Sequence, residues 1–152
     1  MKSLKDLSPS QRLLAIAFDI SALLGYGFSL TYAHLRTGLK PAGIVEHFKG
    51  NDQAFAMDAS VMYSLTHTHT LSIGLLLFAV GALFSLSSLH EKTKAWIIGL
   101  AFLSYLLEFP LYWLVRYSSP GFVYALYLVG AVSALTFVAM VYFTLKELLM
   151  PA

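Results

Sequence analysis

The chain has 152 residues, of which 58% are hydrophobic and only 12% charged, and its mean hydropathy is +0.71. That balance excludes an ordinary soluble domain, and a net charge of +2 scattered between apolar segments excludes a nucleic-acid-binding surface. The absence of cysteine excludes disulfides, thiolate metal sites and thioether-linked haem, leaving His, Asp, Glu, Met and Tyr as ligands.

After a basic start with Lys2, Lys5 and Arg12, an apolar segment over about residues 13–35 is longer than the core of a signal peptide and reads as a retained span. Ser21, Gly25, Ser29 and Ala33 recur every fourth residue along it, a small-residue stripe that lets another helix approach closely. Asp19 lies on a neighbouring stripe with Ala15, Ala22 and Tyr26, placed either as a proton site or as a hydrogen-bonding partner of another helix.

The polar connection over residues 36–60 is the longest in the chain. Within it Pro41 opens a short helix on which Ile44, Val45 and Phe48 share a face, and Gly50-Asn51-Asp52 closes it, as in an interfacial lid. A second span follows over about 62–89, a third over about 95–115, a turn at Ser118-Ser119-Pro120-Gly121, and a fourth over about 122–145. The expected fold is one all-α domain, a four-helix transmembrane bundle. Lys2, Lys5, Arg12, Lys92, Lys94 and Lys146 fall at one end, against Arg36, Lys40, Lys49 and Arg116 at the other, which favours cytoplasmic termini and an outward-facing connection. Tyr32, Trp113, Tyr117, Tyr124 and Tyr127 fit an outer aromatic belt, with Trp96 and Tyr142 at the inner one.

Polar groups converge toward the outer end. His34 closes the first span, while His67 and His69 open the second, and an ionisable side chain at membrane depth points to function by default. Residues two apart on a helix point about 200° apart, so His67 and His69 do not chelate one small ion. His67 continues into Thr70, Gly74, Gly81 and Ser85, a small track expected to face the bundle, and His69 continues into Ile73, Leu76 and Val80. A flat macrocycle fits between His34 and one of the pair, with Gly27 and Gly74 leaving room. In the third span Glu108 shares a stripe with Ser104, Tyr105 and Tyr112, and Pro110 can kink the helix beside it.

The segment His67-Thr68-His69, followed by Leu71-Ser72-Ile73-Gly74 and a glycine-bearing apolar run, resembles the histidine-x-histidine helix of the catalytic subunit of haem-copper oxidases. The resemblance implies haem ligation by His67 and His69, with His34 as the opposing ligand from an early helix. It is confined to one helix, and the additional histidines of that family's copper centre are lacking, so oxygen reduction is not implied. The run from His34-Leu35-Arg36-Thr37-Gly38 through Lys49-Gly50-Asn51 to the histidine pair also resembles small four-span bacterial membrane proteins, which implies a bacterial inner membrane.

Haem b accounts for the arginines as well: its propionates need cations near the surface, and Arg36 and Arg116 lie at the right end, although either can instead snorkel to lipid headgroups. The leading expectation is an electron-transfer protein, more a redox carrier or subunit than a stand-alone enzyme. It would work between a quinol and a redox partner protein or larger membrane complex, with Glu108 taking protons. Two other readings remain open: a cofactor-free subunit or assembly factor packing through its small-residue stripes, and a copper, zinc or iron site made by His34, one of the pair and Glu108. His47 and His90 rank lower, one in the outer loop and one at the inner end.

Overall fold

The computed structural model describes residues 3–150; Lys2, part of the basic start, lies outside them. A short 3-10 turn, Leu4–Asp6, precedes five helices: α1 (Pro9–Thr37), α2 (Pro41–Lys49), α3 (Ala59–Ser85), α4 (Glu91–Tyr117) and α5 (Phe122–Leu149). All but α2 are long and apolar enough to cross a bilayer, with mean hydropathies of 1.8, 1.7, 1.6 and 2.1 over their most apolar stretches. The fold is an all-α transmembrane bundle. Leu13, Leu14, Phe28, Leu75, Phe78, Leu128 and Leu135 are exposed on its flanks, where the solvent is lipid.

Local capping decides where the spans begin. Ser8 and Gln11 form a reciprocal capping box ahead of Pro9, so α1 starts four residues before the apolar run at Leu13. Asp58 accepts from the Ser60 amide at 2.8 Å, so α3 opens at Ala59, inside what reads as loop, and stops at Ser85 instead of Leu89. His90, far from the other histidines, caps α4 by accepting from the Lys92 amide at 3.3 Å. Pro110 is carried within α4, which runs unbroken to Tyr117.

Both ends of the described chain lie at one end of the bundle with Lys5, Arg12, Lys92, Lys94 and Lys146, termed inner here; α2 lies at the other, outer end with Arg36, Lys40, Lys49 and Arg116. Lys94 is buried. Its ammonium donates to the carbonyls of Ser85 (2.8 Å) and Ser87 (3.2 Å) and pairs with Glu91 at 2.6 Å, closing the C-terminus of α3 where the helix dipole favours a cation. Lys94→Ala is expected to lower stability by about 1–3 kcal/mol, because buried carbonyls lose their donor, as thermal unfolding of the detergent-solubilised chain will report.

The core belongs to α3, α4 and α5. Its largest cluster joins Leu77, Val80 and Phe84 to Ala101, Tyr105 and Phe109 and to Phe137, Met140 and Val141, with Ala22 the one fully buried contribution from α1. An outer cluster of Phe48, Met62, Val115 and Val123 seats α2 on α3, α4 and α5. On α1 only Ala15, Asp19 and Ala22 are buried, all in its inner half. Beyond Tyr26, whose ring meets Phe137 at 4.9 Å, the outer half of α1 is mostly exposed until Thr37 reaches α2, so it stands off from the three-helix core.

Candidate functional site

The outer end is organised by two glycines that the chain cannot replace cheaply. Gly43 lies where α2 crosses the end of α1, and a Cβ there would sit 2.0 Å from the Thr37 carbonyl oxygen. Gly50 ends α2 at φ +77°, and its Cβ would meet the Ala54 oxygen and the Ala56 nitrogen at 2.5 Å. The chain then reverses through Asn51 and Ala54, whose backbones exchange hydrogen bonds, and returns along α2 with the Met57 amide donating to the Phe48 carbonyl at 3.0 Å. This strap and the end of α1 enclose an open cavity of about 590 Å³ lined by Arg36, Glu46, His47, Asn51, Asp58 and Val61.

His47 faces this cavity half-buried. Desolvation, with the Arg36 guanidinium second, pushes its pKa below the ordinary imidazole value, so the neutral ring belongs to the folded state. The unfolded chain therefore binds a proton more readily, and stability is lost as pH falls through about 6.5 toward the lowered folded-state value. Acidifying from about pH 7 to about pH 5 is expected to lower the unfolding temperature, and His47→Gln to remove part of that dependence. Asp58 is held below the usual carboxylate range, chiefly by its hydrogen bonds from Ser60.

Both histidines of α3 are exposed, and the stripes that continue from them meet different neighbours. The track of His67 faces α4: Gly74 lies against the Tyr105 hydroxyl, Gly81 against Ile98, and the Tyr63 ring meets Trp113 at a 60° tilt with centroids 4.7 Å apart. Gly74 therefore leaves no room for a macrocycle, because Tyr105 fills it, donating to the carbonyls of Thr70 and His69. The track of His69 leads instead into Ile73, Leu76 and Val80, in or against the main core cluster. His69 lines a shallow groove on the outer part of α3 with Ser60, Val61, Ser64, Leu65 and Thr68. Val61 borders both this groove and the Arg36 cavity, so the two adjoin.

The ring of His69 is oriented by its own helix. Nδ1 lies 2.9 Å from the Leu65 carbonyl oxygen, and since a carbonyl only accepts, Nδ1 carries the proton. In the neutral ring Nε2 then keeps a free lone pair, the arrangement that prepares a histidine to ligate. His34 is exposed on the flank of α1, beside the half-buried Ala33, and Gly27, one or two turns inward, has open space around it.

Glu108 is partly buried in the outer half of α4, where the Tyr112 hydroxyl donates to its Oε2 at 3.4 Å and the Ser133 hydroxyl of α5 also faces it. The expected three-ligand set does not assemble: among the described residues no three His, Asp or Glu side chains gather into a metal-holding group. Nor do the arginines behave alike. Arg116 donates from Nε to the Met57 carbonyl at 2.9 Å and lies over the Tyr117 ring, which ties α4 to the strap. Arg36 lies over the Tyr32 ring, 5.8 Å from its centroid, and opens on the cavity beside His47.

Residues 38–152 match a family of transmembrane helical domains, Aq_1264_TM. The chain belongs to that family. The match spans α2 to α5 and contains His67, His69, Glu108 and Arg116; α1, with His34 and Arg36, precedes it. No curated protein and no solved structure matches the chain. Tyr105 and Trp113 carry much of the geometry around the site. Trp113 donates to the Thr66 hydroxyl at 3.1 Å, and the only sequence signal for it is an aromatic residue at the outer belt.

Proposed function

We propose that this domain is a b-type haem protein of a bacterial cytoplasmic membrane that carries electrons. Haem would be held near the outer face between His69 of α3 and His34 of α1. The observation that carries the reading is the Nδ1–H bond from His69 to the Leu65 carbonyl, which frees Nε2 for ligation beside an open groove. The local resemblance of His67-Thr68-His69 to the haem-ligating helix of haem-copper oxidases supports ligation from this helix, with His69 favoured over His67 because His69 lines the groove that adjoins the Arg36 cavity.

A haem bound there supplies a one-electron couple whose potential is set by its axial imidazoles and by burial. Arg36 would meet the propionates from the adjoining cavity. Arg116 contributes through the strap that it holds, since its Nε is already committed to Met57. Oxidation of a quinol releases two protons and two electrons; Glu108, with the Tyr112 hydroxyl on its Oε2, would take one proton while the other leaves to the outer aqueous phase, and the electrons would leave one at a time to a redox partner at the outer end.

One observation favours a second reading, a cofactor-free subunit of a larger membrane complex. The small-residue stripe of α1 is exposed, with nothing within 4 Å of a Cβ built on Gly25. The absorption spectrum of the purified chain, oxidised and reduced, separates the two. Sharp reduced bands of b-type haem are expected. A colourless protein, with or without stoichiometric copper, zinc or iron, would overturn the haem assignment.

A further inference from the structure

Asp19 is fully buried in the inner half of α1, and neither of its carboxyl oxygens has a hydrogen-bond partner. It faces α5: Ala15 and Leu148 share one cluster, Tyr26 meets Phe137, and stepping evenly along the two antiparallel helices brings Asp19 level with Thr144. Thr144 is itself fully buried, and its hydroxyl is spent on the Met140 carbonyl at 2.9 Å.

Three of the charged groups at the inner end, Arg12, Lys94 and Glu147, are engaged elsewhere. Arg12 donates to the Leu148 carbonyl at 3.4 Å, Lys94 serves Ser85, Ser87 and Glu91, and Glu147 accepts from the amide and hydroxyl of Ser88. A bare carboxylate deep in a bundle with no cation beside it costs several kcal/mol, and taking up a proton removes that cost.

What closes the site toward the inner side is a small device. The Leu4–Asp6 turn folds back under the bundle and inserts Leu4, 1% exposed, into a cluster with Ala15 and Leu148, against which Leu83 and Leu86 also pack. It is pinned by the Leu4 amide donating to the Leu86 carbonyl at 3.1 Å, and its shape is set by the Ser3 amide donating to the Asp6 carboxylate at 2.8 Å. On the other side of Asp19 the main cluster around Ala22, Phe84 and Met140 shuts the bundle.

We propose that Asp19 is an occluded proton-binding site, and that Leu4 is the stopper controlling its exchange with the inner aqueous phase. The ligand is a proton, because a metal cation needs several oxygen donors, whereas neither carboxyl oxygen of Asp19 has a hydrogen-bond partner and the Thr144 hydroxyl is spent on Met140. A proton held at this depth beneath a removable plug suits a protein that couples proton uptake to another event in the membrane. The proposal stands independently of haem.

Infrared spectroscopy of the full chain in lipid nanodiscs tests it. A carbonyl stretch of a protonated carboxyl is expected at neutral pH, absent in Asp19→Asn, shifted in frequency in Asp19→Glu and kept in Glu108→Gln. On transfer to deuterated water that band is expected to shift slowly, and Leu4→Gly to speed the shift by about tenfold or more, since Leu4 is the buried side chain of the turn and the backbone bond to Leu86 does not fill its place. A spectrum with no band sensitive to position 19 would overturn the proposal. So would an exchange rate that Leu4→Gly leaves unchanged, or a band that appears only when sodium is withdrawn, which would mark a bound cation instead.

Discussion

Gly50→Ala is expected to destabilise the outer cap by about 2–6 kcal/mol. Two costs combine. A side chain at φ +77° and ψ 178° enters backbone space that is almost the preserve of glycine, at about 1–3 kcal/mol. The added Cβ also drives against the Ala54 oxygen and the Ala56 nitrogen at 2.5 Å, both backbone atoms that cannot swing aside, and forced overpacking costs about 1–3 kcal/mol more. Gly43→Ala is expected to behave similarly, since the Thr37 oxygen stands 2.0 Å from the new methyl group and α2 must lift from the end of α1. Thermal unfolding in detergent provides the reading. Gly25→Ala is the matched control, with open space around it and an expected change within about 1 kcal/mol.

His69→Ala is expected to reduce bound haem to below about a tenth of the wild-type content, since losing even a partner that orients a ligand costs about 10–100-fold in affinity and losing the ligand itself costs no less. His67→Ala is expected to retain the haem. The contrast follows from the two faces of α3: His69 lines the groove that adjoins the Arg36 cavity, whereas His67, exposed as well, lies outside that groove on the stripe that meets Tyr105 and Ile98. Haem content of the two purified variants, set against their unfolding temperatures, checks this directly. Retention in His69→Ala with loss in His67→Ala would reverse the ligand assignment while leaving the bundle intact.

The spans were legible because each is a long apolar run and nothing but a helix satisfies its own backbone in lipid. The short helix opened by Pro41 and closed at Gly50 was equally legible, since a proline at a first helical turn and a glycine at positive φ leave local signatures. Boundaries were less so. Hydropathy marks where the membrane begins, whereas Ser8, Asp58 and His90 mark where hydrogen bonding begins, and the two differ by several residues at α1 and α3.

The site was legible in its residues and not in its distances. The divergence of His67 from His69 followed from helical geometry alone. That Tyr105 occupies the space beside Gly74, that Arg116 is tied to Met57, and that no three ligands gather near Glu108 depend on which helices adjoin at which height. Periodicity within one helix carries no such information. Asp19 shows the same boundary: its burial was readable from its stripe, but an interhelical hydrogen bond was one natural expectation, and both oxygens stand without a partner.

Low-temperature electron paramagnetic resonance of the oxidised protein tests most directly whether a histidine from α1 and one from α3 grip a single iron. A low-spin ferric signal of two axial imidazoles is predicted, converting to high spin or vanishing when either His34 or His69 is replaced by alanine and persisting in His67→Ala. Absence of any haem signal, or a low-spin signal indifferent to both His34→Ala and His69→Ala, would contradict the account.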